Sequence, residues 1–225
     1  MINKKVIFFC RKNDFYSNLL INFLRKKLKK FKIIYSENFN DKINEKLIPN
    51  NIDFIFCFRS YFILDKKILN KAKISINFHP GPPNYRGIGC VNFALLNNEK
   101  TYGVTCHIID EKIDNGKIID VKRFKIQKMN LENVLKKSYE VQVKQFQEIV
   151  SLLLKKDKMI DSLLKKNKKE KWSKKITTRK DLNDLYFIKN LSKKKTLRKI
   201  LRATCNDKFS PYFMIDKKKY EISEK

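Results

Sequence analysis

"ISINFHPGPPNYRGIGC", residues 74–90, is the stretch on which the reading of this chain turns. It begins as a strand and runs straight into a loop built from Pro80, Gly81, Pro82, Pro83, Gly87 and Gly89. All five glycines of the chain, both histidines and three of the five prolines fall between residues 79 and 116. In a composition otherwise dominated by Lys, Ile, Asn and Leu, such clustering has a local cause. Glycine serves where the backbone takes a positive φ or a ligand must come close, and proline removes freedom from a loop before anything binds. The loop is therefore shaped rather than slack.

Upstream of it, strands and helices alternate. "KKVIFFC" reads as a first strand, and after "RKND" Ser17 is placed to cap a helix with Leu20, Phe23, Leu24 and Leu28 on one stripe. "FKIIYS" is a second strand, 41–47 a weakly helical stretch, "IDFIFCF" (52–58) a third strand and "DKKILNKA" a short helix. "KISINF" (73–78) is the fourth strand, and it delivers its C-terminal end to the loop. Strands without a polar face, separated by helices, predict an α/β fold with a mostly parallel sheet covered on both sides. Such sheets place ligand crevices at the C-terminal ends of their strands. The first βα turn has no glycine, so the fingerprint of a nicotinamide or flavin dinucleotide site is absent.

Downstream, "IGCVNFALLNN" predicts a helix, "TYGVTCHII" and "KIIDVKRFKI" strands joined by the turn-rich "DEKIDNG", and Asn130 the cap of a long helix. That helix carries Leu135, Tyr139, Val143, Phe146, Val150 and Leu153 at spacings of three and four. Residues 155–175 are charged and poor in apolar side chains, and their later part reads as a linker. The expected division is thus 1–167 for the main domain and 172–225 for a small C-terminal segment. That segment holds "TTRKDLNDLYFI", a helix "SKKKTLRKILRAT" and a strand-like tail "PYFMIDKKKYEIS".

Composition sets bounds on function. A chain of 225 residues buries one sizeable core, and no apolar run is long enough to span a membrane, so a cytoplasmic protein without membrane contact is expected. The five cysteines are scattered and lack any Cys-x-x-Cys spacing, which signals neither a zinc site nor a disulfide framework. The formal net charge is +29, but 44 of the 52 basic residues are Lys dispersed through nearly every segment. Nucleic-acid recognition favours Arg forks and aromatics grouped on one face, so this charge argues against a nucleic-acid partner and for attraction of a small anion.

Asn77 and His79 stand two apart on an extended segment and leave it on the same side. An asparagine amide can donate to an oxygen that gains negative charge in acyl transfer, and an imidazole can take a proton near neutral pH. Asp114, from the neighbouring turn, can orient that imidazole. Bland alternatives stand beside these roles: His79 as a satisfied structural histidine, Asp114 as a turn residue of "DNG", His107 as a structural residue or substrate contact, Tyr85 and Arg86 as a solvated loop tip. No Ser or Cys motif adjoins His79, which favours direct transfer to an external nucleophile over an acyl-enzyme. Two histidines without carboxylate spacing argue against a metal.

"INFHPGPPNYRGIGCVNFALLNNEKTYGVTCHIIDEKIDNGKII" resembles the core of the formyl-tetrahydrofolate-dependent formyltransferases. That family's Asn-x-His at a strand end and the Asp of its D-x-G turn match Asn77, His79 and Asp114. The resemblance implies a Rossmann-like domain in which these three form the catalytic group, with His79 as base and proton shuttle, and formyl-tetrahydrofolate as co-substrate. It implies folate contacts at Tyr61, Phe62 and Ile63 and at Glu111, Lys112 and Ile113, and substrate contacts at Tyr85, Arg86 and His107. The form "HPGPPNYRGIGC" followed by "GVTCH" is most similar to the sugar N-formyltransferases, which implies a nucleotide-linked amino sugar as acceptor and a C-terminal segment used for substrate or homodimer contacts. The branch acting on methionyl-tRNA is similar in the same core, but it carries a longer C-terminal barrel.

Overall fold

The computed structural model describes residues 1–39, 41–189, 194–206 and 209–222. Its centre is a six-stranded sheet in the order β2-β1-β3-β4-β6-β7. The strands are β1 (Val6–Arg11), β2 (Lys32–Ser36), β3 (Ile52–Phe58), β4 (Ala72–His79), β6 (Thr101–Ile108) and β7 (Ile118–Lys125). The first four run parallel, while β6 and β7 are antiparallel to their neighbours. A mixed, mostly parallel sheet between helices is the architecture expected, and β3 has the expected limits.

The helices follow their apolar stripes. In α1 (Phe15–Lys27) Leu20, Ile21 and Leu24 are buried; its cap is Asp14, one turn ahead of the serine expected to play that part. Asp14 holds the extended backbone a cap requires, and its carboxylate accepts the Ser17 backbone N–H at 2.9 Å. Instead of a helix over 41–47 there is a single 3₁₀ turn, Glu45–Leu47. Short α2 (Lys66–Leu69) covers one face of the sheet through Ile68.

The long α4 (Leu131–Lys155), capped by Asn130 as expected, crosses the other face. Phe146 is its centre, with ring contacts to Phe8, Phe23, Phe56, Phe58 and Phe78 at 4.6–6.3 Å. The same helix buries Gln142, whose Nε2 donates to the Phe78 carbonyl and so fixes the strand one residue before His79.

The later part of 155–175, expected to be a linker, is fastened down. After α5 (Met159–Lys166), the Glu170 carboxylate receives both Arg123 guanidinium nitrogens at 2.6 and 2.7 Å, and Trp172 donates to the Gly116 carbonyl at 2.8 Å. The chain then adds a strand that the sequence did not announce: β8 (Ile176–Thr177) pairs in parallel with β5 (Arg86–Gly87), inside the proline-rich loop. Beyond it lie α6 (Arg179–Tyr186), started by a Thr178–Asp181 capping box, α7 (Lys194–Thr204), and the hairpin of β9 (Tyr212–Ile215) and β10 (Lys218–Glu221). Positions 192–193 of the expected helix and Ser223 of the expected strand lie outside the described residues. α3 (Cys90–Leu96) leaves the loop and packs against α7. Among the described residues no helix is long and apolar enough to cross a membrane.

Candidate active site

The loop after β4 folds back on its own strand, and His79 is the reason. Its Nε2 lies 2.9 Å from the carbonyl oxygen of Tyr85, and that oxygen can only accept, so Nε2 carries the proton. Gly81 makes this approach available: a Cβ there would stand 2.6 Å from His79 Nε2 and 2.9 Å from the Tyr85 oxygen. On the other side of the ring, Nδ1 lies 3.2 Å from Asp114 Oδ2. Both nitrogens thus face acceptors, the arrangement an imidazolium needs. Burial alone would lower the affinity of His79 for its proton, but the Asp114 carboxylate, the Cys90 sulfur and the Tyr85 carbonyl outweigh it and bring its pKa to about 9. Burial would likewise raise Asp114, yet the His79 charge, His107 and the Gly87 N–H hold it well below the usual carboxylate range. The two form a buried ion pair at neutral pH, with His79 3% exposed.

Asp114 reaches this position from a left-handed backbone, φ 45°, in the turn between β6 and β7. A short polar side chain tolerates that region, and this one also accepts the Gly87 N–H at 3.0 Å. Strand register adds the next member. Asn77 of β4 pairs with His107 of β6, and the Asn77 Nδ2 lies 3.2 Å from His107 Nε2. His107 Nδ1 donates to the Ile108 carbonyl at 2.7 Å, so in the neutral ring Nε2 accepts from Asn77. The same Nε2 stands 3.5 Å from Asp114 Oδ1. Asn77, His107, Asp114 and His79 are therefore one connected polar group at the C-terminal end of the central strand.

A cavity of about 270 Å³ opens beside it, walled by the loop after β3 and the turn after β6. Tyr61, Phe62, Ile63, Glu111, Lys112 and Ile113 all line it, together with Asn77 and Asp114. A neighbouring hollow of about 300 Å³ shares Tyr61 and Ile63 but contains none of the polar group. The lining combines an apolar part, including Cys57, Leu64 and Ile109, with carboxylates at Asp110 and Glu111. That combination suits a flat heteroaromatic ring carrying hydrogen-bond donors.

Four expected site residues stand outside this lining. His79 is turned to Tyr85, and His107 sits behind Asn77, 2% exposed. The Tyr85 hydroxyl donates to Glu99 at 2.9 Å and accepts from Asn97 at 3.0 Å. The Arg86 guanidinium donates to the carbonyls of Ser173 and Ile113, both at 2.8 Å, which makes it a brace between the C-terminal segment and the Asp114 turn. Two residues that sequence reasoning passed over join the group. Cys90 places its sulfur 3.6 Å from His79 Nε2, and Trp172 sets its ring edge-to-face against both imidazoles. The one signal for Trp172 was its rarity, a single tryptophan in a Lys-rich stretch. Among the described residues no group of three His, Cys, Asp or Glu stands placed to hold a metal ion.

Comparison with known proteins converges on the same region. A family profile described as "Formyl transferase" matches residues 21–150. The bifunctional polymyxin resistance protein ArnA of Wigglesworthia glossinidia brevipalpis is 38% identical over 117 residues, 50% of this chain and 18% of that protein. A methionyl-tRNA formyltransferase of Clostridium tetani is 33% identical over 197 residues, 76% of this chain and 61% of that protein. The chain thus spans less than two thirds of the length of these curated relatives. In fold it is similar to a sugar N-formyltransferase from Shewanella, with a TM-score of 0.75 at 19% identity over 98% of this chain and 97% of the other. An N-formyltransferase of Helicobacter canadensis, solved with folinic acid and dTDP-3-aminofucose, gives a TM-score of 0.71 at 20% identity over 96% and 85%. With the profile covering more than half of the chain, over the strands and turns that carry the polar group, this protein belongs to the formyl transferase family.

Proposed function

We propose that the protein transfers a formyl group from formyl-tetrahydrofolate to the amine of a nucleotide-linked amino sugar. The observation that carries this reading is the cavity in which both expected folate segments, 61–63 and 111–113, share a wall with Asn77 and Asp114. Bound there, the folate supplies a formyl carbon open to attack by an amine. Asn77 has one amide hydrogen engaged by His107 and a second left to donate to the formyl oxygen as that oxygen gains charge.

Asp114 accepts the proton that the attacking amine gives up. Its carboxylate lines the cavity while His79, protonated and turned to Tyr85, does not. The base role therefore falls to Asp114, directly or through a water, and His79 acts as the cation that keeps Asp114 ionised. As the base, Asp114 holds the amine proton only between the two transfers. It passes the amine proton on to the departing nitrogen, which restores Asp114 for the next turnover.

Support for a sugar acceptor comes from the sequence form of the loop and from fold similarity along nearly the whole of both chains with a sugar N-formyltransferase. A second reading, transfer to methionyl-tRNA, is favoured by the identity with the clostridial enzyme. One experiment separates them. Purified protein with formyl-tetrahydrofolate is offered a panel of nucleotide-linked amino sugars and, separately, charged initiator tRNA, and products are read by mass. A sugar heavier by one CO unit is expected; formylated methionyl-tRNA with no change across the sugar panel would overturn the choice of acceptor.

A further inference from the structure

We infer that Trp172 is a positioning residue, which clamps the imidazoles of His79 and His107 against Asp114 and couples them to the C-terminal segment. The inference adds a member to the machinery proposed above and rests on that reading for its catalytic consequence. The indole meets His107 at 5.0 Å between ring centroids with an interplanar angle of 86°, and His79 at 5.7 Å and 74°. These are edge-to-face contacts of the kind that hold an aromatic ring in one orientation. Its Nε1–H donates at 2.8 Å to the carbonyl of Gly116, two residues after Asp114. Arg86 secures the same turn from its other end, donating to the Ile113 carbonyl and to the carbonyl of Ser173, which directly follows the tryptophan. The guanidinium carbon also lies 5.9 Å from the indole centroid. The turn bearing Asp114 is thus held at residues 113 and 116 by two side chains that both depend on segment 172–173.

The consequence is electrostatic. A charge pair is strong only where water is kept away, and the attraction between Asp114 and His79 grows as the local dielectric falls. The groups facing His79 are Asp114 from the turn, Cys90 from α3 and the Tyr85 carbonyl, while His107 from β6 approaches the same Asp114 carboxylate and the Arg86 guanidinium lies beside the indole. Of these, Asp114 is the group that favours the protonated ring most strongly. Removing the indole admits water to the pair and frees the Gly116 anchor; both changes weaken that attraction, and with the carboxylate no longer held in place the loss outweighs the relief from burial that the water brings.

The chain is well suited to a direct test, because it has one tryptophan and two histidines. Imidazole nitrogen NMR on labelled protein, without any substrate, follows each histidine through a pH titration in the native chain, Trp172→Phe and Trp172→Ala. His79 is expected to release its proton at least tenfold more readily in Trp172→Ala, a fall of about one pH unit, and Trp172→Phe is expected to recover most of that loss. In the native protein, tryptophan fluorescence should change with the same midpoint as His79, a measurement that needs no variant to fold. With substrates, the alkaline limb of the kcat profile should move with the His79 midpoint while KM for the folate stays constant. An unchanged His79 titration in folded Trp172→Ala, or a fluorescence midpoint unrelated to His79, would overturn the inference. The NMR and fluorescence arms succeed or fail independently of the reaction, so a wrong acceptor or a wrong activity shows up in the product assay alone.

Discussion

At the scale of single residues, the ion pair between Asp114 and His79 sets a pH dependence of stability and, on the mechanism proposed above, of turnover. The folded-state pKa of His79, about 9, lies above its ordinary value of 6.5, so the pair's contribution through His79 is fully present below the ordinary value and is lost as pH rises through 9. Asp114 is shifted downward, so its contribution is present above the ordinary carboxylate value and disappears only in acid. Thermal midpoints should therefore decline between neutral pH and pH 10, and the decline should be absent in Asp114→Asn. Asparagine fits the left-handed backbone at this position, φ 45°, so the turn survives. Breaking the buried pair should cost about 3 kcal/mol near neutral pH, with turnover falling by orders of magnitude. Near-native turnover in Asp114→Asn would remove Asp114 from the chemistry. Asn77→Ala should lower kcat by roughly a hundred- to a thousandfold with little change in thermal midpoint, since its side chain sits on the cavity wall outside the Phe146 core.

At the scale of elements, the two-residue strands β5 and β8 decide whether the C-terminal segment reaches the site. Thr177 fastens the pairing: its Oγ1 lies 2.8 and 2.6 Å from the carbonyl oxygens of Arg86 and Ile88, either of which can accept its one hydrogen, and its own carbonyl accepts the Ile88 N–H at 2.9 Å. Gly87 takes a φ of 84°, and a Cβ there would stand 2.2 Å from the Thr177 carbonyl oxygen. Gly87→Ala should therefore separate the two strands and withdraw Trp172 with them. Faster hydrogen exchange and easier proteolysis confined to residues 172–186, with the exchange of β1 and β3 unchanged, is the expected result. Equal protection of both regions in the variant would show that the pairing does not hold the segment. The long helix α4 serves chiefly the core, where Phe146 meets phenylalanine rings from β1, α1, β3 and β4.

At the scale of the whole molecule, the charge of +29 sets how partners arrive. A pyrophosphate meets few cations, whereas a tRNA surface meets many, so the affinity for a nucleotide sugar should fall shallowly with salt, with a log–log slope of about −2 or weaker. Tight binding of tRNA at physiological salt, with a several-fold steeper slope, would mean that the lysines form a footprint. Much of the architecture was legible in advance. Apolar runs without a polar face gave β1 and β3, spacings of three and four gave α4, and a sixfold punctuation by proline and glycine marked the loop after β4. That Asn77, His79 and Asp114 come together was legible because a strand end and an adjacent turn are local features. Three things were not: the orientation of the His79 ring, the alignment of His107 opposite Asn77, and the placement of Trp172 against both histidines. Each depends on strand register or on contacts between residues far apart in the chain. Local propensity and periodicity carry no record of such contacts, and only the packed sheet, with β8 paired to β5 beside it, brings these side chains together.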